Sequence, residues 1–263
     1  MTKLLTQQDK NMIKPNEVLK YIANKPIGVG TEATIYDADK FVLRIPNTLK
    51  ITRQIHRNIS LNAYKWEKVP NAHGKRNFGQ AVYNLVDKKT FKPILSLCKK
   101  ATGISTNDLV EEPLTPKQII TAQKTAIEKM NIIASAPISS FRKLIDDFNH
   151  LTCTNFTIDP SEGNLLINPQ TKRFYIIDLR PVKKIRNIGD LILLLLTDIP
   201  SMPDNQEYFK LEIKIINKLF LAAKHQGFVH PEQLQFKPRA MEVIKSDLAR
   251  DIYKNNYNDI KLV

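Results

Sequence analysis

Cysteine is scarce in this chain of 263 residues, which contains only Cys98 and Cys153. Two cysteines at this separation form neither a metal-ligand motif nor a disulfide framework, so a reducing compartment is the default. The N-terminus lacks the apolar segment of a secretory signal peptide. The longest purely apolar run, Leu191–Leu196, is far too short to cross a bilayer. These absences predict a soluble protein without a transmembrane segment and favour a cytoplasmic location.

Acidic residues are also in the minority, with 26 Asp and Glu against 40 Lys and Arg and a net charge of +14. A field of this sign attracts polyanions. The basic residues are spread along the chain, however, and form only small clusters, at Lys88–Lys89, Lys99–Lys100 and Arg180–Arg186. The sequence has no nucleic-acid motif and no basic groove interleaved with aromatic residues. We therefore expect a solvated basic surface and no specific nucleic-acid partner.

The remaining composition, 42% hydrophobic and 25% charged, is ordinary for a globular protein, and the length suits one domain or two lobes. Residues 1–24 predict a polar helical segment, in which Val18, Tyr21 and Ile22 have the helical spacing needed to pack on something. From residue 115 the pattern is helical, with Thr115 as a suitable N-cap. Further helices are predicted from about Ser140, over Glu207–Ala223 and over Pro238–Tyr253.

Residues 26–46 predict three short antiparallel strands. Their β-forming residues are interrupted by Gly28 and Gly30 and by a polar turn at Asp37–Asp39, and the apolar run Phe41–Ile45 follows. Glycines in such a turn let backbone N–H groups approach phosphates with no Cβ in the way. A plain hairpin turn is the alternative. The motif is not a dinucleotide-binding fingerprint, because a hairpin rather than a helix follows it.

Three further segments follow these strands. Ser60–Val69 is compatible with a helix capped by Ser60, and it contains Glu67, the only glutamate between Glu32 and Glu111. Two apolar segments, Phe78–Val86 and Lys92–Lys99, predict two more strands.

The most informative stretch contains two apolar runs, Leu165–Ile167 and Phe174–Ile177, around the turn sequence Asn-Pro-Gln-Thr, which predicts a β-hairpin. Asp159 and Asn164 precede the first run, and Asp178 follows the second. A hairpin would bring these two carboxylates and the amide to the same end of a small sheet. Phosphoryl transfer uses this set, because one Asp accepts the hydroxyl proton while an Asn and a second Asp hold Mg²⁺.

The spacing Asp-x4-Asn alone is a weak signal, since it recurs at Asp251 and Asn256, and a solvated turn capping the hairpin is the alternative at Asp159 and Asn164. The order of the parts is more specific. DPSEGN, a strand, a turn, a second strand and IID together resemble the catalytic and metal-binding loops of the protein-kinase-like superfamily. In style the stretch is similar to compact bacterial effector kinases and to aminoglycoside and choline phosphotransferases.

This resemblance implies an α+β, two-lobed protein-kinase-like fold with a small antiparallel β N-lobe and a mostly helical C-lobe. Residues 1–24 would be a polar helical N-terminal extension, residues 25–102 the N-lobe and residues 103–263 the C-lobe. The implied cofactors are ATP and Mg²⁺. ATP would bind between the lobes, and residues 101–105 would form the hinge that hydrogen-bonds the adenine.

The resemblance also implies roles for the loop residues. Gly28, Gly30 and Ala33 would form the loop over the phosphates, with Ala33 standing where the family has its third glycine. Arg44 occupies the position of the lysine that binds the phosphates and keeps its positive charge. Glu67, on the helix after the third strand, would hold Arg44 in place. The alternatives are a solvated arginine at a strand edge and a surface glutamate.

The catalytic and metal roles fall to the C-terminal half. The resemblance makes Asp159 the catalytic base and Asn164 and Asp178 the Mg²⁺ ligands. The family's D-F-G motif is Asp178-Leu-Arg here, so its glycine is missing. Only eleven residues separate Asp178 from Asp190, which leaves no room for an activation loop. The family's His-Arg pair, whose Arg grips a phosphorylated activation loop, is replaced by Thr157–Ile158, in keeping with the absence of that loop.

These features imply an ATP-dependent phosphotransferase, most in keeping with a compact bacterial, effector-type Ser/Thr protein kinase acting in virulence. Its partners would be a protein substrate and a host protein or polyanion that activates it, if the chain is secreted into a host cell without a cleavable signal peptide. A small-molecule kinase of the aminoglycoside or choline phosphotransferase type stays open, because Ser161 replaces the lysine of protein kinases. A pseudokinase that serves as a binding module also stays open.

Overall fold

The structure, a computed structural model, describes residues 13–30, 32–47, 63–69, 76, 78–106, 115–154, 156–158, 163–177, 179–181, 191, 195 and 206–224. The fold of these residues is α+β, with an antiparallel sheet in the N-terminal region and helices after it. The chain divides into two compact units. Unit 1 comprises Met1–Gly74 and Gly79–Lys100, and unit 2 comprises Lys75–Phe78 and Ala101–Val263.

The described helices are α1 (Val18–Ile22), α2 (Pro116–Ser135), α3 (Ile138–Cys153) and α4 (Gln206–Lys224). The described strands are β1 (Gly28–Val29), β2 (Ala33–Ala38), β3 (Phe41–Pro46), β4 (Tyr64–Lys68), β5 (Phe78–Gly79), β6 (Ala81–Asp87), β7 (Pro93–Lys99), β8 (Ile104–Ser105), β9 (Phe156–Ile158), β10 (Leu165–Ile167), β11 (Phe174–Ile177) and β12 (Leu179–Pro181).

Unit 1 is built on a six-stranded antiparallel sheet in the order β1-β2-β3-β7-β6-β4. The three strands predicted from residues 26–46 and the two predicted from residues 78–99 are confirmed, with a break at Gln80 that separates β5 from β6. Leucines from the central strands are fully buried and form the core, and the helix α1 packs on it. Within α1, Val18 is fully buried and Tyr21 and Ile22 lie against the same cluster, so the predicted packing face is confirmed.

The helix predicted over Ser60–Val69 is wrong over its described part, because Tyr64–Lys68 forms the edge strand β4. The strand pairs with β6, with Trp66 opposite Leu85. The aromatic side chains at alternate positions suit the twofold period of a strand, and the Trp66 indole donates a hydrogen bond of 2.7 Å to the carbonyl oxygen of Ile13. Pairing with the edge of β6 therefore decides the structure of this segment against its local helical spacing. No local pattern in residues 60–69 reveals that edge.

Unit 2 contains helices α2, α3 and α4, with α4 packed against both others. The prediction of Thr115 as an N-cap is confirmed, since its side chain accepts a hydrogen bond from the Gln118 N–H. The helix α3 begins at Ile138, two residues before its predicted start, and α4 agrees with the predicted Glu207–Ala223. The core is apolar and is formed mainly by these helices and the small sheet beside them: Met130, Ile133, Phe141, Leu144, Ile145 and Leu219.

A four-stranded sheet in the order β5-β11-β10-β8 and a two-stranded ribbon of β9 and β12 complete unit 2. The predicted hairpin is confirmed as β10 and β11, with Leu165 opposite Ile176 and Ile167 opposite Phe174. Phe174 packs edge-on against Phe141, with ring centroids 5.3 Å apart, and so fixes the hairpin on α3.

An ion-pair cluster links the start of unit 2 to α3. The Arg76 guanidinium donates to Asp146 at 2.6 Å and to Asp147 at 2.9 Å, and Lys143 Nζ donates to Asp147 at 2.7 Å. Only 4% of the Asp147 side chain is exposed, so these donors take the place of water around its carboxylate. Burial raises the pKa of Asp146, but the hydrogen bonds from Arg76 and Lys143 outweigh this and lower it below its usual value.

The predicted helix over Pro238–Tyr253 lies outside the described residues. Among the residues that the structure does describe, no helix combines the length and the apolar character that crossing a membrane requires.

Candidate functional site

Asn164 is held at the entrance to the β10–β11 hairpin. Its side chain is one of the few buried polar groups among the described residues, and 9% of the residue is exposed. Its carbonyl oxygen accepts a hydrogen bond of 2.9 Å from the Ile177 N–H, which extends the ladder of the hairpin by one pair. Gly163, the preceding residue, has φ +85°, a conformation that residues with a Cβ rarely adopt. The local sequence Gly-Asn therefore suits the turn that delivers Asn164 to the hairpin.

The other end of the hairpin is set by its own turn. The Asn168 side-chain oxygen accepts hydrogen bonds from the backbone N–H groups of Gln170 and Thr171, at 3.0 and 2.8 Å. This Asx turn fixes the register of the two strands. It therefore also fixes which residue of β11 lies beside Asn164.

The ribbon of β9 and β12 adds a second antiparallel pairing in the same unit, with Ile158 opposite Leu179. In sequence Asp159 directly follows Ile158, and Asp178 lies between Ile177 and Leu179. Asp159 and Asp178 themselves lie outside the described residues, so their predicted roles as base and metal ligand stay predictions. The structure pairs the described residues that flank them in sequence, with Ile158 opposite Leu179 and Ile177 bonded to Asn164.

The chemistry of the predicted metal site can be tested against the described residues only in part. These residues contain no group of three or more His, Cys, Asp or Glu side chains that could hold a metal ion. The predicted Mg²⁺ ligands are Asn164, which the structure describes, and Asp178, which lies outside that part of the chain. Amide and carboxylate oxygens are donors that suit Mg²⁺, so Asn164 and Asp178 fit the ion by chemical type.

The predicted phosphate loop lies in unit 1, at the hairpin of β1 and β2. Gly28 pairs with Ile35 in the ladder, and the Gly30 N–H donates a hydrogen bond of 2.9 Å to the carbonyl oxygen of Ala33, which is buried at the start of β2. A Cβ on Gly28 or Gly30 would lie at ordinary contact distance, 3.7 Å from the Ile35 Cβ and 3.5 Å from the Ala33 oxygen. The fold therefore has room for a side chain at both positions.

Asn47 fixes this loop, and the sequence analysis missed it. Its side-chain amide donates to the Gly30 carbonyl oxygen at 2.6 Å, and its backbone N–H donates to the Glu32 carbonyl oxygen at 2.8 Å. The Thr34 hydroxyl donates to the Asn47 side-chain oxygen at 2.7 Å. The dipeptide Pro46-Asn47 at the end of β3 was the available signal, because Asn after an apolar strand is a typical turn residue.

Arg44 lies on β3 opposite Ile35 of β2, and one guanidinium nitrogen is 3.6 Å from a Glu32 carboxylate oxygen. Glu67 does not supply this ion pair. It lies on β4, and β7 and β6 separate β4 from β3 in the sheet, a span of about 14 Å across three strand spacings. Glu67 is instead 2.8 Å from Lys65, two residues away on the same strand face. The prediction of Glu67 as a helical partner of Arg44 is therefore corrected to Glu32.

The predicted hinge, residues 101–105, contributes β8 to the small sheet of unit 2, where Ser105 lies opposite Leu166. Gly103 is required there by close packing, because a Cβ would lie 2.7 Å from the Ile167 carbonyl oxygen. Adenine binding by this segment stays a prediction. The predicted loop residues and Arg44 belong to unit 1, and Asn164 belongs to unit 2.

One further titratable pair lies in unit 2, on α4. Burial raises the pKa of Glu212 to about 7, and a hydrogen bond with Tyr208 opposes the rise only in part. Burial, followed by the nearby Glu212 carboxylate, raises the pKa of Tyr208. The two side chains are four residues apart and share a helix face. They can stabilise each other in the packed face of the helix, and no predicted catalytic residue belongs to α4.

Comparisons with known proteins add little. No family model matches the chain, and no curated protein matches it. Among solved structures, the chain is similar to a rhoptry kinase from Toxoplasma gondii at 7% sequence identity, over 90% of this chain and 80% of that one, with a TM-score of 0.34. A likeness at this level does not establish a shared fold. The kinase resemblance therefore rests on the sequence motifs.

Proposed function

We propose that this chain is an ATP-dependent phosphotransferase with a two-lobed protein-kinase-like fold, of the compact, effector type that phosphorylates Ser or Thr hydroxyls of proteins without an activation loop. In this proposal Asp159 accepts the proton of the acceptor hydroxyl. Asn164 and Asp178 hold Mg²⁺, which when bound neutralises charge on the phosphates of ATP. The protein acts in the cytoplasm or, secreted without a cleavable signal peptide, in a host cell, where a host protein or a polyanion activates it.

The observation that carries this proposal is that two backbone pairings in unit 2 involve the residues on either side of Asp178 in sequence. The Ile177 N–H bonds the Asn164 carbonyl oxygen, and Ile158 lies opposite Leu179. Antiparallel partners lie about 5 Å apart and successive Cα atoms about 3.8 Å apart. Asn164 is a member of the first pairing, Asp159 follows Ile158 in sequence, and Asp178 lies in sequence between Ile177 and Leu179. A solvated turn would need only the hairpin and not the second ribbon.

Unit 1 supports the proposal through its glycines. The fold has room for a Cβ at Gly28 and at Gly30, so packing does not explain why both residues are glycine. A phosphate that approaches the backbone of the loop at close range does explain it, through N–H groups other than that of Gly30, which is bonded to the Ala33 carbonyl oxygen. Arg44, on the strand that follows, is half-buried and can bind phosphate oxygens with two parallel hydrogen bonds.

Two other functions are each favoured by one observation. A small-molecule kinase is favoured by Gly163, whose positive φ makes glycine a requirement of the turn before Asn164, and the pair Gly-Asn is typical of the phosphotransferase style of this loop. A pseudokinase that acts as a binding module is favoured by the ion pair of Arg44 with Glu32, because the carboxylate competes with phosphate for the guanidinium.

The test is transfer of label from γ-labelled ATP in the presence of Mg²⁺. The full chain is incubated alone, with a eukaryotic lysate, and with a panel of aminoglycosides and choline. Asp159→Asn and Asp178→Asn keep the shape of the side chains and remove their charge. Asp251→Asn is the matched control, because Asp251 and Asn256 form the other Asp-x4-Asn in the sequence.

We expect labelled protein with the wild type and with Asp251→Asn, and a loss of at least about a hundredfold with Asp159→Asn, the range that general-base catalysis supplies. Label on aminoglycosides or choline would support the second function. ATP binding without any transfer would support the pseudokinase. Transfer that survives in both Asp159→Asn and Asp178→Asn would contradict the proposed site.

A further inference from the structure

The turn between β6 and β7 is an ordered tip in unit 1, here called the 88–92 tip. An Asp87 carboxylate oxygen accepts hydrogen bonds of 2.8 Å from the backbone N–H groups of both Lys89 and Thr90. The Phe91 N–H donates a hydrogen bond of 2.8 Å to the Asp87 carbonyl oxygen. Backbone and Asp87 groups therefore hold the turn, and none of these bonds involves the side chain of Phe91.

Phe91 itself has an unfavourable backbone conformation and an exposed ring. Its φ is +55°, a value that glycine and asparagine tolerate and that is a genuine outlier for a bulky residue. Of the residue's surface, 61% is exposed, so its ring adds little to the core. A phenylalanine that strains the turn and packs on little has no evident role in folding. Local strain of this kind points to a role in binding.

The surroundings of the ring are basic. Lys88, Lys89 and Lys92 in the same tip are all exposed, and the Lys65 ammonium lies 4.8 Å from the centroid of the Phe91 ring. The tip has lysines and no arginine, and lysines act as point charges without the planar fork that recognises single phosphates. The carboxylate of Asp87 is already bonded to the backbone of the turn, and the carboxylate of Glu67 pairs with the Lys65 ammonium at 2.8 Å.

We propose that the 88–92 tip docks on an anionic membrane surface. The Phe91 ring enters the boundary between headgroups and acyl chains, and the lysines face the anionic headgroups. A hairpin tip with one aromatic ring among lysines has the apolar and cationic parts that interfacial binding needs. The net charge of +14 favours the approach to such a surface.

A nucleic acid fits the same charges less well. Proteins that bind single strands stack successive bases on several aromatic faces in a groove. Here the tip contains one aromatic residue, and the Lys65 ammonium already covers one face of its ring. An exposed hairpin turn with a single aromatic ring suits insertion into an interface better than it suits stacking.

The experiment is co-sedimentation of the full chain with vesicles of phosphatidylcholine alone and of phosphatidylcholine mixed with phosphatidylserine, at low and at high salt. We expect binding only to the mixed vesicles, weakened by salt. Phe91→Gly should lower the affinity at least about tenfold while raising Tm by about 2–4 °C, because glycine relieves the positive φ. Replacing Lys88, Lys89 and Lys92 together by Gln should lower the affinity about a hundredfold, near fivefold for each lysine.

Two matched controls separate this surface from general charge and general exposure. Ile120→Ala removes an exposed apolar side chain of α2 that is 67% exposed, and a triple change of Lys117, Lys124 and Lys210 to Gln removes three exposed lysines elsewhere. Both should bind vesicles as the wild type does. The proposal fails if the two lysine triples weaken binding equally, if Phe91→Gly binds unchanged or melts at a lower temperature, or if the chain binds polyglutamate or single-stranded RNA but not the mixed vesicles.

Discussion

Replacing Gly30 by alanine should stabilise the fold and weaken nucleotide binding, and this opposition tests the proposed phosphate loop most directly. A Cβ at Gly30 would lie 3.5 Å from the Ala33 carbonyl oxygen, an ordinary contact, and the backbone has no positive φ there. Alanine at such a site stabilises a protein by about 0.4–1 kcal/mol, because it restricts the unfolded chain. The same reasoning applies to Gly28, whose Cβ would lie 3.7 Å from that of Ile35.

The opposite effect on nucleotide binding follows from the proposed contact. A Cβ on the face that approaches the phosphates would separate them from the backbone N–H groups, and we expect the Kd for ATP to rise at least about tenfold, or about 1.4 kcal/mol. Two other glycines provide the contrast. Gly163→Ala should cost about 1–2 kcal/mol, because of its φ of +85°. Gly103→Ala should also destabilise, because its Cβ would lie 2.7 Å from the Ile167 carbonyl oxygen.

Both quantities can be measured on the same preparations. Urea unfolding gives the free energy of unfolding of each variant, and titration with ATP and Mg²⁺ gives the Kd. The reasoning would be refuted if Gly28→Ala and Gly30→Ala bound ATP as tightly as the wild type, or if they lost stability as Gly163→Ala does. In the first case the glycines have no part in phosphate binding, and in the second the fold itself requires them.

Three further predictions concern charge. Burial raises the pKa of Glu212 from an ordinary 4.5 to about 7. Between these two pH values the folded chain keeps a proton on Glu212 that the unfolded chain releases. The free energy of unfolding should therefore fall as pH rises from about 4.5 to 7, and it should level off above pH 7. Glu212→Gln should remove this dependence on pH and raise the free energy of unfolding at pH 8 by about 2–3 kcal/mol. Urea unfolding at a series of pH values measures both effects, and an unchanged dependence on pH would contradict the prediction. Asp147→Ala should lower the free energy of unfolding by about 2–4 kcal/mol, because it removes one of the carboxylates that bind Arg76. In a double-mutant cycle, the joint change Asp147→Ala with Arg76→Met should lower this free energy by less than the sum of the two single changes. Glu32→Gln should tighten ATP binding several-fold, because it removes the carboxylate that lies 3.6 Å from the Arg44 guanidinium. The free energy of unfolding should change by less than about 0.5 kcal/mol. An affinity for ATP equal to that of the wild type would show that Glu32 does not compete with the nucleotide.

Much of the local structure could be predicted from sequence because its causes are local. The β10–β11 hairpin follows from two apolar runs around an Asx turn, and α2 begins where a threonine cap precedes proline. The apolar face of α1 was readable from the spacing of Val18, Tyr21 and Ile22. In each case the deciding residues lie within a few positions of one another.

The candidate site was readable only in outline. The order of Asp159, Asn164 and Asp178 around two strands is a feature of the sequence, and the pairing of β9 with β12 is an addition from the structure. Asn47 was missed because its bonds to the Gly30 and Glu32 carbonyls join segments about fifteen residues apart, and one asparagine after a strand does not predict such partners. The prediction of Glu67 as the partner of Arg44 depends on its being the only glutamate between Glu32 and Glu111. That count carries no information about which side chains lie close together in the fold.

The sequence by itself determined most of the described helices, strands and turns, because periodicity and turn residues are properties of neighbouring residues. Only the tertiary structure decided that Tyr64–Lys68 is a strand, that Arg44 pairs with Glu32, that Asp147 is buried and that Phe91 is strained and exposed. Each of these depends on which distant segment lies alongside. A free strand edge or a buried carboxylate exists only after the chain has folded, so no local pattern could have revealed it.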